Sequence, residues 1–227
     1  MTSHPVVFLV DVDNTLIDND AIQQDLQDYL EREFGAVVRE SYWTIQEGLF
    51  TTLGYRDYIG GLQHYRARHS AAVELLSMSS YLLDYPFADR LYPGAVEVLK
   101  RLGGMGPTVL LSDGDAVFQP RKVERAGLSE AVGGRVLIYI HKEEELADIE
   151  RRYPADHYVL VDDKPRILTA VKQLWGERVT TVLPRQGIYA HDPNAASTFP
   201  PADVTIERIG DLLDVDLAGL SPVAAGG

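Results

Sequence analysis

The sequence predicts an α/β fold, a parallel-sheet Rossmann-like core carrying an inserted α-helical cap domain, and three observations predict it. Short runs rich in Val, Leu and Ile recur at residues 6–10, 108–111, 136–140, 158–161 and 179–183. Each run is apolar throughout rather than alternating, as a strand buried on both faces requires. Segments with helical spacing separate the later runs, and strand–helix alternation is the signature of βαβ units. The third observation is an interruption: residues 18–89 contain helical patterns and no convincing strand.

Taken in order, the first run leads directly into Asp11. Helical spacing then covers 21–34, 41–53, 55–69 and 71–83. So long a stretch is not a loop within a compact domain, and it reads as an insertion placed after the first strand. The chain returns at Tyr92-Pro93-Gly94, where the proline suits a helix start. The predicted helix at 95–102 places Val96, Leu99 and Leu102 on one side. Residues 143–151 and 166–175 read as further helices, and 207–213 as a last short one. The glycine-rich stretches 103–106 and 133–134 lack the Lys-Ser/Thr ending of a phosphate-binding P-loop and read as turns. The expected division is a core of 1–17 with 90–227 and a helical cap of 18–89. The tail at 221–227 is expected to fray.

Composition narrows the partners. Of 227 residues, 45% are hydrophobic, enough for one sizeable core and a small second lobe. Lys and Arg total 21 against 34 Asp and Glu, a formal net charge of -13. Such a chain repels nucleic acid and anionic lipid, so neither is expected as a partner. There is no cysteine, which excludes disulfides and thiolate chemistry. The start of the chain lacks the basic region and long apolar stretch of a signal peptide, and no run is long enough to span a bilayer. A cytoplasmic location is the expectation.

The polar residues that follow the apolar runs carry the chemistry. Ligands of open parallel sheets bind beyond the carboxyl ends of the strands. There the sequence places Asp11-Val12-Asp13-Asn14-Thr15, Ser112-Asp113-Gly114, His141-Lys142 and Asp162-Asp163-Lys164. Taken singly, each cluster is an ordinary strand stop or helix cap. Together they crowd carboxylates on one rim, which repel unless a positive charge sits among them. A hard divalent cation with oxygen ligands answers that need, and magnesium takes one or two carboxylates with water and a phosphate oxygen. No histidine pair has helical zinc spacing.

These residues give the chain its resemblance to the haloacid dehalogenase-like (HAD) superfamily, phosphatase type with a helical cap. Asp11-Val12-Asp13-Asn14-Thr15 is similar to the family's first motif, and Leu110-Leu111-Ser112-Asp113-Gly114 to the second. Lys142 fits the third and Val161-Asp162-Asp163 the fourth, in the family's order. The resemblance implies a magnesium-dependent phosphatase acting on a small phosphorylated metabolite. Asp11 would be the nucleophile that forms an aspartyl-phosphate. Asp13 would be the general acid and base, its main-chain carbonyl also binding the metal. Ser112, the amide of Asp113 and Lys142 would hold the phosphoryl group. Asp11, Asp13 and Asp162 would ligate Mg2+, with Asp163 behind them orienting water or Lys142. An acid at position 13 favours phosphoester over carbon–halogen cleavage, because an alkoxide needs a proton donor and a halide does not.

Alternatives stay open. Lys122 also follows the second motif and competes with Lys142, although mid-helix lysines ordinarily sit on a solvated face. Lys164 is either part of the site or a charge at a helix start, and His141 is either near the pocket or structural. Arg56, His64, Arg66, Arg68 and His69 form either an anion contact or solvated helix surface. Tyr42, Trp43, Phe50, Tyr55, Tyr58 and Tyr65 read first as packing between cap helices. A phosphomutase, a phosphotransferase or a catalytically silent regulatory member would share the fold.

Overall fold

In the computed structural model, which describes residues 3–69 and 73–216, the apolar runs pair side by side, all in parallel. The strands are β1 (His4–Val10), β2 (Thr108–Asp113), β3 (Val136–Tyr139), β4 (Ala155–Val161), β5 (Val179–Pro184) and β6 (Val204–Ile206). Among the described residues they form one six-stranded sheet in the order β3-β2-β1-β4-β5-β6. Burial on both faces explains why the runs are unbroken. Val7 and Leu9 of β1, Val109 and Leu111 of β2, and Tyr158 and Leu160 of β4 enter one core. Their neighbours Phe8, Val10, Leu110, Val159 and Val161 enter the other.

Helices cover both faces. The insertion supplies α1 (Asn19–Phe34), α2 (Ala36–Leu53), α3 (Tyr58–Arg68) and α4 (Leu75–Asp84). Then follow α5 (Ala95–Gly103), α6 (Phe118–Arg125), α7 (Leu128–Ala131), α8 (Leu146–Arg152), α9 (Pro165–Trp175), α10 (Gly187–Ala190) and α11 (Ala195–Thr198). α8 and α9 bury Leu146, Ile149, Ile167, Leu168, Val171 and Trp175 on one face. α5 and α6 bury Val98, Leu99, Leu102, Phe118 and Val123 on the other. On α5 the core-facing residue is Val98 rather than the expected Val96, which is only partly buried.

The insertion leaves and re-enters through a narrow neck. Ile17 bridges Leu91 in antiparallel fashion. The Asp18 amide donates to Arg90 O (2.8 Å) and the Tyr92 amide to Leu16 O (2.9 Å). Asp18 caps α1 by accepting from the Ala21 amide, and Gly35, at φ 86°, turns the chain into α2. Tyr58 packs on Phe118 with ring centroids 4.6 Å apart, joining α3 to the core.

Several boundaries differ from expectation. The helix expected at 143–151 is a 3-10 turn, Lys142–Glu144, followed by α8. The last expected helix is a 3-10 turn over Ile209–Leu213. α2 begins at Ala36 and α4 at Leu75, and residues 70–72 lie outside the described residues, as does the tail at 221–227. Among the described residues, no helix is long and apolar enough to cross a membrane.

Candidate active site

The strand order 3-2-1-4-5-6 reverses direction at β1, and the crevice at such a switch point lies beyond the carboxyl ends of the strands. Asp11 follows β1, with its amide bonded to Val161 O across the β1–β4 pair (2.9 Å). Asp162 and Asp163 follow β4. One carboxylate oxygen from each of Asp11, Asp162 and Asp163 lies within 4.8 Å of the others, and all three residues are buried. The Asp163 amide donates to Thr15 Oγ1 (3.1 Å), so the segment after β1 and the segment after β4 are locked together.

Lys142 stands among these acids. Its Nζ lies 2.5 Å from Asp11 Oδ1 and 2.7 Å from Asp162 Oδ2, and it also donates to Leu111 O (3.1 Å). Its amide donates to Asp113 Oδ1 (2.8 Å), which fixes the turn after β3 against the end of β2. Burial alone would push the Lys142 ammonium down, but the facing carboxylates of Asp11, Asp162 and Asp113 hold it well above its ordinary value. Burial pushes the Asp11 carboxyl up to about 6, the pull of Lys142 only partly offsetting it. Burial also raises Asp113 and, well above the usual range, Asp163.

Asp13 faces a different set. Its Oδ1 accepts from Lys122 Nζ (2.7 Å) and Gln119 Nε2 (3.2 Å). Gln119 Nε2 also donates to Ser112 Oγ (2.8 Å). Lys122 Nζ reaches Asn19 Oδ1 at the start of α1 (2.9 Å). The solvated-face reading of Lys122 is therefore corrected. The residue is fully buried, and the physical reason is the face of α6 on which Phe118, Gln119, Lys122 and Val123 turn inward together. Both lysines thus stand in the site, each on a different carboxylate. Lys164 lines the same cavity, its Nζ 5.4 Å from the Tyr189 ring centroid. His141 sits against the insertion, close enough that a Cβ on Gly54 would meet its ring at 3.0 Å.

Sequence reasoning missed Gln119, Asn19, Gln186 and Tyr189. Gln186 Nε2 donates to Asn14 O (3.2 Å) and Thr15 O (3.1 Å), holding the first motif's backbone from behind. Asn14 adopts φ 58°, and its Oδ1 accepts from the amides of Asn19 and Asp20. Gly187 packs so closely there that a Cβ would lie 2.5 Å from Asn14 Cβ. Gln119 lies on the short polar helix α6 and Asn19 at the start of α1, where neither carries a signal of its own, while Gln186 and Tyr189 come from a segment far along the chain.

The cavity beside these residues measures about 50 Å³ and is lined by Asp13, Asp113 and Gln119 from the core and by Phe50, Tyr55 and Arg56 from the insertion. Tyr42, Tyr58 and Tyr65 are buried in the core, as packing predicted, while Tyr58 also reaches the cavity. Of the basic patch, His64, Arg66, Arg68 and His69 are exposed, and Arg56 is half-buried at the cavity. A larger cavity of about 460 Å³ beside α9 and β5 shares no lining residue with it and contains none of the clustered acids.

The acid cluster suits a divalent cation. Asp11 Oδ2 and both Asp163 oxygens are buried with no hydrogen-bond partner. Buried acceptors are seldom left unpaired, and closely set oxygens of this kind are the donors that hard cations bind.

Comparison with known proteins agrees with this architecture. A family model described as haloacid dehalogenase-like hydrolase matches residues 6–183. A crystal structure from Burkholderia xenovorans LB400, described as a haloacid dehalogenase-like hydrolase, is 60% identical with a TM-score of 0.90. The match covers 94% of this chain and 99% of that one. A HAD-hydrolase from Bacillus subtilis bound to magnesium is 17% identical with a TM-score of 0.62, covering 93% and 98%. The L-2-haloacid dehalogenase of Xanthobacter autotrophicus is 18% identical with a TM-score of 0.58, covering 92% and 96%. The last two share the fold. No curated relative matches the chain. With the family model and the Burkholderia protein both spanning most of its length, the chain belongs to the haloacid dehalogenase-like hydrolases.

Proposed function

We propose that this hydrolase is a magnesium-dependent phosphatase of small phosphomonoesters, with residues 18–89 acting as its cap and 1–17 with 90–227 as its core. The observation that carries the reading is the second acid. Asp13 lines the cavity beside the buried Asp11, its Oδ1 held by Lys122 and Gln119, while its Oδ2 makes no hydrogen bond to a described residue. A held carboxylate with one open oxygen is what proton transfer to an alkoxide leaving group requires, and loss of a halide has no use for it.

In this reading an Asp11 oxygen attacks phosphorus as the bond to the leaving oxygen breaks, giving an aspartyl-phosphate. Asp13 delivers a proton to that oxygen. It then accepts one from the water that attacks the phosphoenzyme, and phosphate departs with Asp11 restored. Lys142 keeps Asp11 ionised and oriented, and neutralises charge on the phosphoryl oxygens. Ser112 and the Asp113 amide position those oxygens, Gln119 orienting the serine hydroxyl. Asp11, Asp162 and Asp163, with the Asp13 carbonyl, would hold Mg2+, whose chemistry is to neutralise phosphate charge so that one anion can approach another.

The test is phosphate release from p-nitrophenyl phosphate in magnesium. Asp11→Asn should abolish it, while Asp13→Asn should slow esters of high-pKa alcohols far more than esters of phenols. Chloride release from a 2-haloacid without phosphate release would overturn the reading. Isomerised rather than dephosphorylated sugar phosphate would mark a mutase.

A further inference from the structure

We propose that Arg56 and Lys164 form a second anion subsite in this cavity, so that the substrate is a small phosphomonoester whose leaving group itself carries a carboxylate or phosphate. The inference rests on the phosphatase reading. Arg56 lies between α2 and α3, and its guanidinium sits 4.8 Å from the Trp43 ring centroid and 5.1 Å from that of Phe50. Nη2 donates to Glu47 Oε1 (2.9 Å), which fixes the group in place. Nη1 is buried and has no acceptor. An arginine stacked on two rings, tethered by one carboxylate and left with an unfilled donor, is organised for one more oxygen.

Lys164 completes the arrangement from the core. Its Nζ is held in no ion pair among the described residues, and Asp11 and Asp163 of the acid cluster attract it from beyond ion-pair distance. Both cations line the cavity that Asp13 lines, one from the insertion and one from the sheet edge. Packing alone would account for the rings over Arg56, but it leaves Nη1 unfilled. A charge-assisted hydrogen bond between Arg56 and an anionic leaving group would also hold the insertion down while the ester is bound.

The probes are ethyl phosphate, the same ester with a carboxylate replacing its methyl group, and ethylene glycol bisphosphate. One or both of the acidic esters should exceed ethyl phosphate in kcat/KM by about tenfold or more, and the better one identifies the second anion. Arg56→Gln should collapse that ratio, Lys164→Gln should lower it, and Arg56→Lys should keep part of it. Circular dichroism and a melting curve verify that each variant is folded. Equal use of all three esters by the wild type would overturn the subsite, as would a ratio unchanged in both Arg56→Gln and Lys164→Gln. Absence of phosphate release from any of them, ethyl phosphate included, would instead overturn the phosphatase reading beneath it.

Discussion

Lys122 shows how a single side chain escapes a sequence pattern. Its charge is fully buried, and it is tolerated because Asp13 at 2.7 Å and Asn19 at 2.9 Å replace the water it gives up. Replacing it with methionine would keep the volume and remove the tether on Asp13. Expected is a fall in kcat of at least about tenfold, measured on p-nitrophenyl phosphate, with KM changing less. Asp11 gives a prediction in pH. Its carboxyl titrates near 6 when folded, above the ordinary 3.8. Between those values the folded protein holds a proton that the unfolded chain has released, so stability falls as pH rises from about 4 to 6. In chelated protein Asp11 should contribute up to about 3 kcal/mol of loss, read by urea unfolding as the difference between wild type and Asp11→Asn, since the buried Asp113 and Asp163 add to the same slope. A slope that Asp11→Asn leaves unchanged would refute the assignment. Asp11, Ser112, Lys142 and Asp162 could be picked out in the sequence because each follows an apolar run at its end. Lys122 and Gln119 could not, since a lysine on a short polar helix looks solvated until the opposing wall is known.

Strands were legible where a run is apolar throughout, whether buried on both faces in the middle of the sheet, as β1, β2 and β4 are, or partly buried at its edge, as β3 is. The five long runs are strands, whereas β6 is only three residues, Val204–Ile206, too short for a periodic signal. The segment after β3 reads as one helix by spacing, yet it breaks at Glu145. The Asp113 carboxylate holds the Lys142 amide, and so ties the start of this turn to the end of β2. The turn after β1 is governed by Asn14, whose left-handed backbone and two accepted amides launch α1. Asn14→Ala should cost about 1–3 kcal/mol, because both amide bonds vanish and the side chain that tolerates φ 58° is lost. Equilibrium unfolding in urea measures it, and a midpoint shift without a change in slope is expected. Asn14→Gly, which relieves the backbone but restores no acceptor, should recover only part of that loss.

At the scale of the whole molecule, a chain of net charge -13 sets several carboxylates against each other at one edge of its sheet. Magnesium at about a hundredfold its Kd should raise stability by about 2.7 kcal/mol, a Tm increase of roughly 5–10 °C for a protein of this size. Asp163→Asn should blunt that rise, since it removes one of the unpaired acceptor carboxylates. A magnesium-independent Tm would contradict the cation argument. The insertion was recognisable as a break in alternation, but its contacts with the core were not, because Tyr58 meets Phe118 and Asn19 meets Lys122 across 60 and 103 positions of chain. That last contact has a mechanical corollary. One ammonium grips the head of α1 with one hydrogen bond and the Asp13 carboxylate of the core with another. Tilting the head of α1 away by more than a bond's length takes an acceptor from Lys122 and leaves its buried ammonium resting on Asp13 alone.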